Sequence, residues 1–537
     1  MNVKNLGTKH FYFIILLCCT AFGAYRVYHY IDVQLADDTH YLRLGLQLPK
    51  IFLSGYGPLY SLFFRCIFWL TNSKWDTYFL AYSILIAMPT IAMYFFLQSK
   101  KIETWLCFLV AILFFISPYN LFFDNWSKIG HFAVTIILLG LMIYEKFEGN
   151  VEKQLLILSM ISFVLGYVRP EFHLSWLVYV CLYFIILFLQ KKYRDFIIRG
   201  AMLIPFFVVY YLFFSPLRGG RSIIAFAQQF VANKCISEDT PITDSVDYMR
   251  VFYSYFGEVK KISQALIANP HEFFHHIALN VTEFITKCFT LFSGWLLVEK
   301  LWMPSYAFLL FSGIILFLIC IYFFIKSFMP VKHYIYVLSG ILPVILFIPT
   351  FIACIVMRPN AHYLIVFTPL FIYLLLPLLC KLAVPRLLGF GIVCLATIGF
   401  LFFWNIHKYT LGNPWHIETS QCISTPNKAT YNKLLPYKER ENLCLLDVEG
   451  GINFYLNKTW KWSNPFAKNF SPVFTRYIKE EKVDIIYCSE AMCRIRQYRM
   501  DSTFQNFRKN PEQYGYRFLP LADKECVDSD YFGIYIK

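Results

Sequence analysis

Charge is what this 537-residue sequence has least of: Asp, Glu, Lys and Arg make up only 15% of it, against 58% hydrophobic residues and 20% aromatics. A soluble globular domain carries roughly 25% charged residues, so the composition excludes an ordinary soluble enzyme and predicts a membrane protein. The sequence also lacks any C-x-x-C pair, which removes the usual signature of a structural zinc site. Neither a Walker loop nor a Gly-x-Gly-x-x-Gly occurs, so nothing marks a free nucleotide as ligand. No internal repeat or low-complexity linker interrupts the chain.

What is present is a succession of apolar runs of about 20 residues, each able to cross roughly 30 Å of hydrocarbon. They lie near 11–30, 77–97, 104–122, 130–144, 154–168, 172–190, 198–215, 304–326, 333–356, 361–380 and 387–405, which predicts about eleven spans. If these alternate, Lys4, Lys9, Lys100, Lys101, Lys146, Lys153, Lys191, Lys192, Arg194, Arg199, Lys326, Lys332, Lys381 and Arg386 fall on one side. Lys and Arg are retained on the cytoplasmic face, so the N-terminus is expected inside. The net charge of +15 is then largely a topology signal and not a nucleic-acid patch, because the cations are dispersed among spans. Phe11–Ala24 could also be read as a cleaved signal peptide, but an uncleaved anchor is the preferred reading.

Residues 1–405 thus form a transmembrane domain with outer loops at 31–76 and 216–303, and 406–537 an extracytoplasmic domain. In the first loop Gly55-Tyr56-Gly57-Pro58 precedes Leu59–Leu70, an apolar stretch too short to span, read as a helix in the outer interface. The second mixes polar and apolar residues at helical spacing, as at Phe273, Ile277 and Phe284, and predicts amphipathic surface helices. In the tail, Leu443–Leu446, Val483–Cys488 and Phe532–Ile536 read as buried strands, and Ser471-Pro472 opens a helix to about Glu481. Alternating strands and helices predict a small α/β domain. Of sixteen cysteines, Cys235, Cys422, Cys444, Cys488, Cys493 and Cys526 fall in outer segments, where bridges are expected, Cys488–Cys493 closing the shortest loop.

The candidate chemistry begins at Asp37–Asp38, just beyond the first span. Two carboxylates at a low-dielectric boundary raise one another's proton affinity, so one could act as a general base, or both could hold a divalent metal. His40, Tyr41 and Arg43 follow within reach. Lys128, Arg169 and Arg358 are cations on the side that topology disfavours, and Arg169-Pro170-Glu171 and Arg358-Pro359-Asn360-Ala361-His362-Tyr363 set an Arg at an outer helix end. An Arg there suits a phosphate at headgroup level.

An N-terminal span, an outer loop with Asp-Asp-x-x-Tyr and then Gly-Pro-Leu-Tyr leading a short apolar helix resembles the GT-C superfamily, which includes protein mannosyltransferases and bacterial aminoarabinose and lipopolysaccharide glycosyltransferases. His362-Tyr363 with the later Pro369 resembles that family's late segment. The resemblance implies transfer of a sugar, with inversion, from a polyprenyl-phosphate donor to an extracytoplasmic lipid, glycan or protein acceptor, in a bacterial inner membrane. It implies Asp37 as the catalytic residue with Asp38 as its helper. Arg169, Arg358, Arg43 and His40 would hold the donor phosphate, His40 standing where the family often has Arg. Tyr41, Tyr60, Glu171, His362 and Tyr363 would line the cavity. No cofactor is implied beyond the divalent metal. The alternative is a transporter or flippase for lipid-linked glycans, although nearly all the ionisable residues lie at helix ends and not at mid-membrane.

One motif competes. His271-Glu272-Phe273-Phe274-His275 is a literal H-E-x-x-H, which would set two metal-ligating His on one helix face beside a Glu base. Glu283 or Glu299 would have to supply the third ligand, and Pro270 places His271 at the helix start.

Overall fold

The computed structural model describes residues 3–35, 37–47, 57–117, 120, 127–214, 221–237, 248–294, 334–381, 385–406, 426–448, 450–463, 473–489, 492–493, 498, 501–521 and 533–537. Where they are described, the apolar runs are helices because they are rich in Leu, Ile and Phe and hold few breakers, and each closes its own backbone hydrogen bonds. Four helices among the described residues are long and apolar enough to cross a membrane: His10–His29, Lys74–Ser99, Phe172–Leu189 and His362–Leu379. Pro58–Thr71, Thr104–Ile116, Ile129–Glu145 and Leu387–Leu401 are shorter apolar helices. The 333–356 run is broken into Tyr334–Ile345 and Ile348–Val356, with Pro349 in the first turn of the second, where Pro is tolerated. The expected span at 304–326, together with Ser471-Pro472, Cys422, Cys526 and Glu299, lies outside the described residues.

Local chemistry sets the first outer segment. Gly57 precedes a helix that opens with Pro58 in its first turn and runs to Thr71, as the short apolar stretch predicts. Asn72 ends that helix in the left-handed conformation, and the Ser73 side chain accepts from the Asp76 amide to cap the next. The chain therefore turns sharply between the Pro58–Thr71 and Lys74–Ser99 helices. The described parts of the 216–303 loop are mostly helical, as its periodicity predicts, with helices Arg221–Ser237, Tyr248–Phe256, Ile262–Ala268 and Pro270–Gly294. They share a small aromatic core of Phe226, Phe230, Phe252, Phe256 and Phe273.

The tail contains a five-stranded sheet. Strands β1 (Cys444–Leu446), β2 (Lys461–Ser463), β3 (Ile485–Cys488), β4 (Arg517–Pro520) and β5 (Gly533–Ile536) lie in the order β2-β1-β3-β5-β4. The first three are parallel; β5 is antiparallel to β3 and β4. Successive strand residues face opposite ways. Leu445, Ile485, Tyr487, Ile534 and Ile536 join the main core shared with the long helices, while Cys444, Leu446, Ile486, Cys488 and Tyr535 join a second core with Phe474, Phe504 and Phe507. Strands buried on both faces read as short continuous apolar runs, which is how β1, β3 and β5 are visible in the sequence.

Two expectations for the tail need correction. The predicted helix begins at Phe474, not Ser471, and its first amide donates to Asp501 Oδ2 at 2.7 Å, so a distant carboxylate does the capping. The expected Cys488–Cys493 bridge is not formed: the two are thiols with Sγ atoms 3.4 Å apart, and no disulfide occurs among the described cysteines.

Candidate functional site

The two adjacent carboxylates have different fates. They open the Asp37–Leu46 helix, where negative charge in the first turn complements the helix dipole. Asp38 turns inward and is 2% exposed. Its Oδ1 accepts from Ser127 Oγ at 2.5 Å and from Tyr60 Oη at 3.1 Å, and its Oδ2 from the Lys128 amide at 3.3 Å. The Asp38 amide donates to Gln34 Oε1 at 2.8 Å. Burial pushes the Asp38 pKa up to about 6; Ser127 lowers it, the neighbouring Asp37 raises it, and the Lys128 amide and Tyr60 lower it less. Asp37 is half-buried, and among the described residues its carboxylate has no hydrogen-bond or ion-pair partner.

The loop that carries Arg169 packs directly against this segment. The Leu59 amide donates to the Tyr167 carbonyl at 3.0 Å. Gly57 is required there, because a Cβ would lie 2.0 Å from the Val168 carbonyl oxygen. Arg169 is 4% exposed; its Nε lies 2.6 Å from Glu171 Oε1, and it donates to the His362 carbonyl at 2.7 Å. Its guanidinium sits 4.1 Å from the Tyr363 ring centroid. Burial, the largest influence, opposes the Arg169 charge, but Glu171 together with Tyr363, Cys354 and Tyr41 outweighs it and holds its pKa above the usual guanidinium value. His362 is brought against the Ile129–Glu145 helix at Gly130, whose Cβ would lie 2.6 Å from the His362 carbonyl oxygen. Tyr41 stacks edge-on against Tyr60, ring centroids 5.0 Å apart. Asp38, Tyr41, Tyr60, Arg169, Glu171, His362 and Tyr363 are thereby gathered from three regions of the chain.

Other expected site residues go elsewhere. Arg358 pairs with Glu283, at 3.2 Å from Nε. That pairing is anchored by Asn280, which donates to the Ile355 and Met357 carbonyls at 2.8 and 2.9 Å, and by His276. Burial pushes the His276 pKa down to about 4, so it is neutral at pH 7. Arg43, three residues beyond the half-buried His40, leans on Phe454 of the tail. In the H-E-x-x-H pattern His271 is 88% exposed, His275 is exposed, and Glu272 is paired with Lys234 at 2.6 Å. Glu283 is occupied by Arg358 and Lys287. Among the described residues no group of three His, Cys, Asp or Glu could hold a metal ion.

Several residues of the site have no obvious signal in the sequence. Ser127, Gln34 and Tyr78 hold the acidic loop, Tyr78 accepting from the Gln34 amide at 2.9 Å. From the tail, Tyr455 Oη lies 2.8 Å from Thr39 Oγ1. Asp32 accepts from the Asn427 and Lys428 amides, both at 2.8 Å, capping the Pro426–Leu434 helix from outside. Only Lys128, at the head of an apolar run, stands out beforehand.

No family model and no curated protein matches the chain. The site is therefore read from its own residues.

Proposed function

We propose that this chain is an integral-membrane glycosyltransferase that moves a sugar from a polyprenyl-phosphate donor to an extracytoplasmic acceptor. In this reading about eleven spans carry the site, the N-terminus is cytoplasmic and the tail sheet lies outside. The observation that supports it best is the division of labour within the acidic pair. Asp38 is buried and accepts three hydrogen bonds, fixing the start of its helix. Asp37, in the next position, is left with an accessible carboxylate.

Asp37 takes the proton of an acceptor hydroxyl as that oxygen bonds to the anomeric carbon. The bond from that carbon to the donor phosphate breaks on the opposite side, its electron pair leaving with the phosphate oxygen. Arg169, kept charged inside the protein by Glu171, stabilises the charge that develops there. His40 is a further candidate for this role, whereas Arg358 is engaged with Glu283. No metal enters the reading.

The test is transfer from a labelled polyprenyl-phosphate sugar in membranes. Asp37→Asn is expected to lower turnover by about 10²–10⁴-fold, and Asp37→Glu to restore part of it. Full transfer by Asp37→Asn would rule out the assigned base.

A further inference from the structure

Four cations converge where the tail meets the acidic-pair helix, and among the described residues no carboxylate answers them. The Arg43 guanidinium stands 5.2 Å from the Phe454 ring centroid and Lys74 Nζ 4.4 Å from the same centroid. Lys74 also donates to the Phe454 carbonyl at 2.6 Å. Lys438 and Lys458 bring two more positive charges close enough to act on Lys74. Their loops are tied together by Asn457, which donates to the Lys438 carbonyl at 2.8 Å. Among the described residues none of the four forms an ion pair, and no acceptor takes an Arg43 N–H. Arg169, Arg358, Arg199, Lys234 and Lys287, by contrast, each face a carboxylate.

Docking of Phe454 accounts for part of this, since a cation over a ring contributes roughly 0.5–1 kcal/mol at an exposed site. It does not account for gathering like charges that repel one another and are half-withdrawn from water at Arg43 and Lys74. An anion seated among them removes that repulsion, and the fork of Arg43 suits phosphate geometry.

We propose that Arg43, Lys74, Lys438 and Lys458 form a seat for an anionic group, a phosphate or its equivalent, carried by the acceptor. Only the word acceptor rests on the transferase reading. Arg43 and Asp37 share a helix, six residues and so roughly 9 Å apart along its axis. A base acts on the acceptor hydroxyl, so an anion anchored on the same helix belongs to the acceptor, one sugar-length away. The tail contributes two cations and Phe454, and Tyr455, the next residue, bonds Thr39 beside Asp38. The tail is thus part of the binding site.

The test is calorimetric titration of the purified full chain with inorganic pyrophosphate, glucose 1-phosphate and, as the uncharged control, glucose. The double variant Arg43→Gln/Lys74→Met keeps both stems on Phe454 and removes both charges, and its folding is checked by thermal unfolding. Wild type should bind the two phosphates saturably and glucose not at all. The double variant should bind them at least about tenfold more weakly, and Lys461→Gln, an exposed cation on β2, like wild type. If the double variant misfolds, Lys438→Gln/Lys458→Gln, at two exposed positions, must weaken binding instead. Equal binding by wild type and the folded variants, or none by wild type, overturns the proposal. A second arm uses phosphatidylcholine nanodiscs with and without phosphatidylglycerol. If the variants lose anionic-lipid enrichment alone, the cluster reads the membrane surface and the acceptor assignment is overturned. Cluster-dependent phosphate binding in a chain that transfers no sugar would sink the transferase reading and leave the seat standing.

Discussion

Replacing Asp38 by Asn isolates the most consequential buried charge near the site. The carboxyl is 2% exposed and its pKa is pushed up to about 6, whereas an Asp in the unfolded chain titrates near 3.9. Between those values the folded chain holds a proton that the unfolded chain has released. Stability from this group therefore falls as pH rises through about 4 to about 6. The rise corresponds to about 3 kcal/mol, fully lost by neutral pH. Asn keeps the shape and can still accept from Ser127 and Tyr60, but carries no charge to bury. Thermal unfolding of wild type and Asp38→Asn across pH 4–7 should show the variant gaining about 3 kcal/mol relative to wild type over that range. Difference infrared spectroscopy should show a protonated carboxyl that titrates near pH 6 in wild type and is missing from the variant. Asp32, pushed up to about 7 by burial against the pull of the Asn427 and Lys428 amides, is separated by repeating the measurement in Asp32→Asn. Asp37→Asn should move the Asp38 titration to lower pH, because the Asp37 charge is one of the influences raising it. Parallel unfolding curves, or no buried carboxyl titrating above about pH 5, would refute the reasoning.

Asn280→Ala removes the donor to two part-buried carbonyls at the end of the Ile348–Val356 helix and should cost about 1–3 kcal/mol by thermal unfolding; Asn280→Asp should not rescue it, since a carboxylate cannot donate there. Gly57→Ala drives a methyl into the Val168 carbonyl and should raise amide exchange at Leu59, whose partner is the Tyr167 carbonyl; unchanged exchange would mean that the two loops are not held together there. His271→Ala/His275→Ala, with or without chelator, should leave both transfer and melting temperature at wild-type values, because both rings are exposed. The Glu283 carboxyl is opposed by burial yet held below its usual pKa by Arg358 and Lys287. Its contribution is present above the unfolded value near 4.3 and lost as pH falls below it, so Glu283→Gln should flatten unfolding curves on the acid side only.

The elements legible in the sequence are those whose evidence is local. Apolar runs become helices and the short Leu59–Leu70 stretch becomes one too short to span, because run length and backbone self-satisfaction need no partner. Strands β1, β3 and β5 show as apolar runs since both their faces are covered. β2 and β4 do not, because Lys461–Ser463 and Arg517–Pro520 are edge strands with exposed positions whose pairing is decided by distant residues. The exposure of the H-E-x-x-H histidines has a related reason. Phe273, His276 and Asn280 occupy the inward stripe of the Pro270–Gly294 helix, so His271 and His275 must point outward. The stripe is in the sequence, but which side is inward depends on Asn233 and the 355–358 turn.

The acidic pair is the sharpest case. Its position after an apolar helix and the cations of the outer connections could be read from the chain alone, since both follow from residue type and order. Which carboxylate is buried, which cations are already neutralised, and that Phe454 and Tyr455 of the tail border the site depend on contacts between residues up to 416 positions apart. Sequence order does not encode those distances. Only the packed structure could separate Asp38, held by three hydrogen bonds, from the half-buried Asp37 beside it.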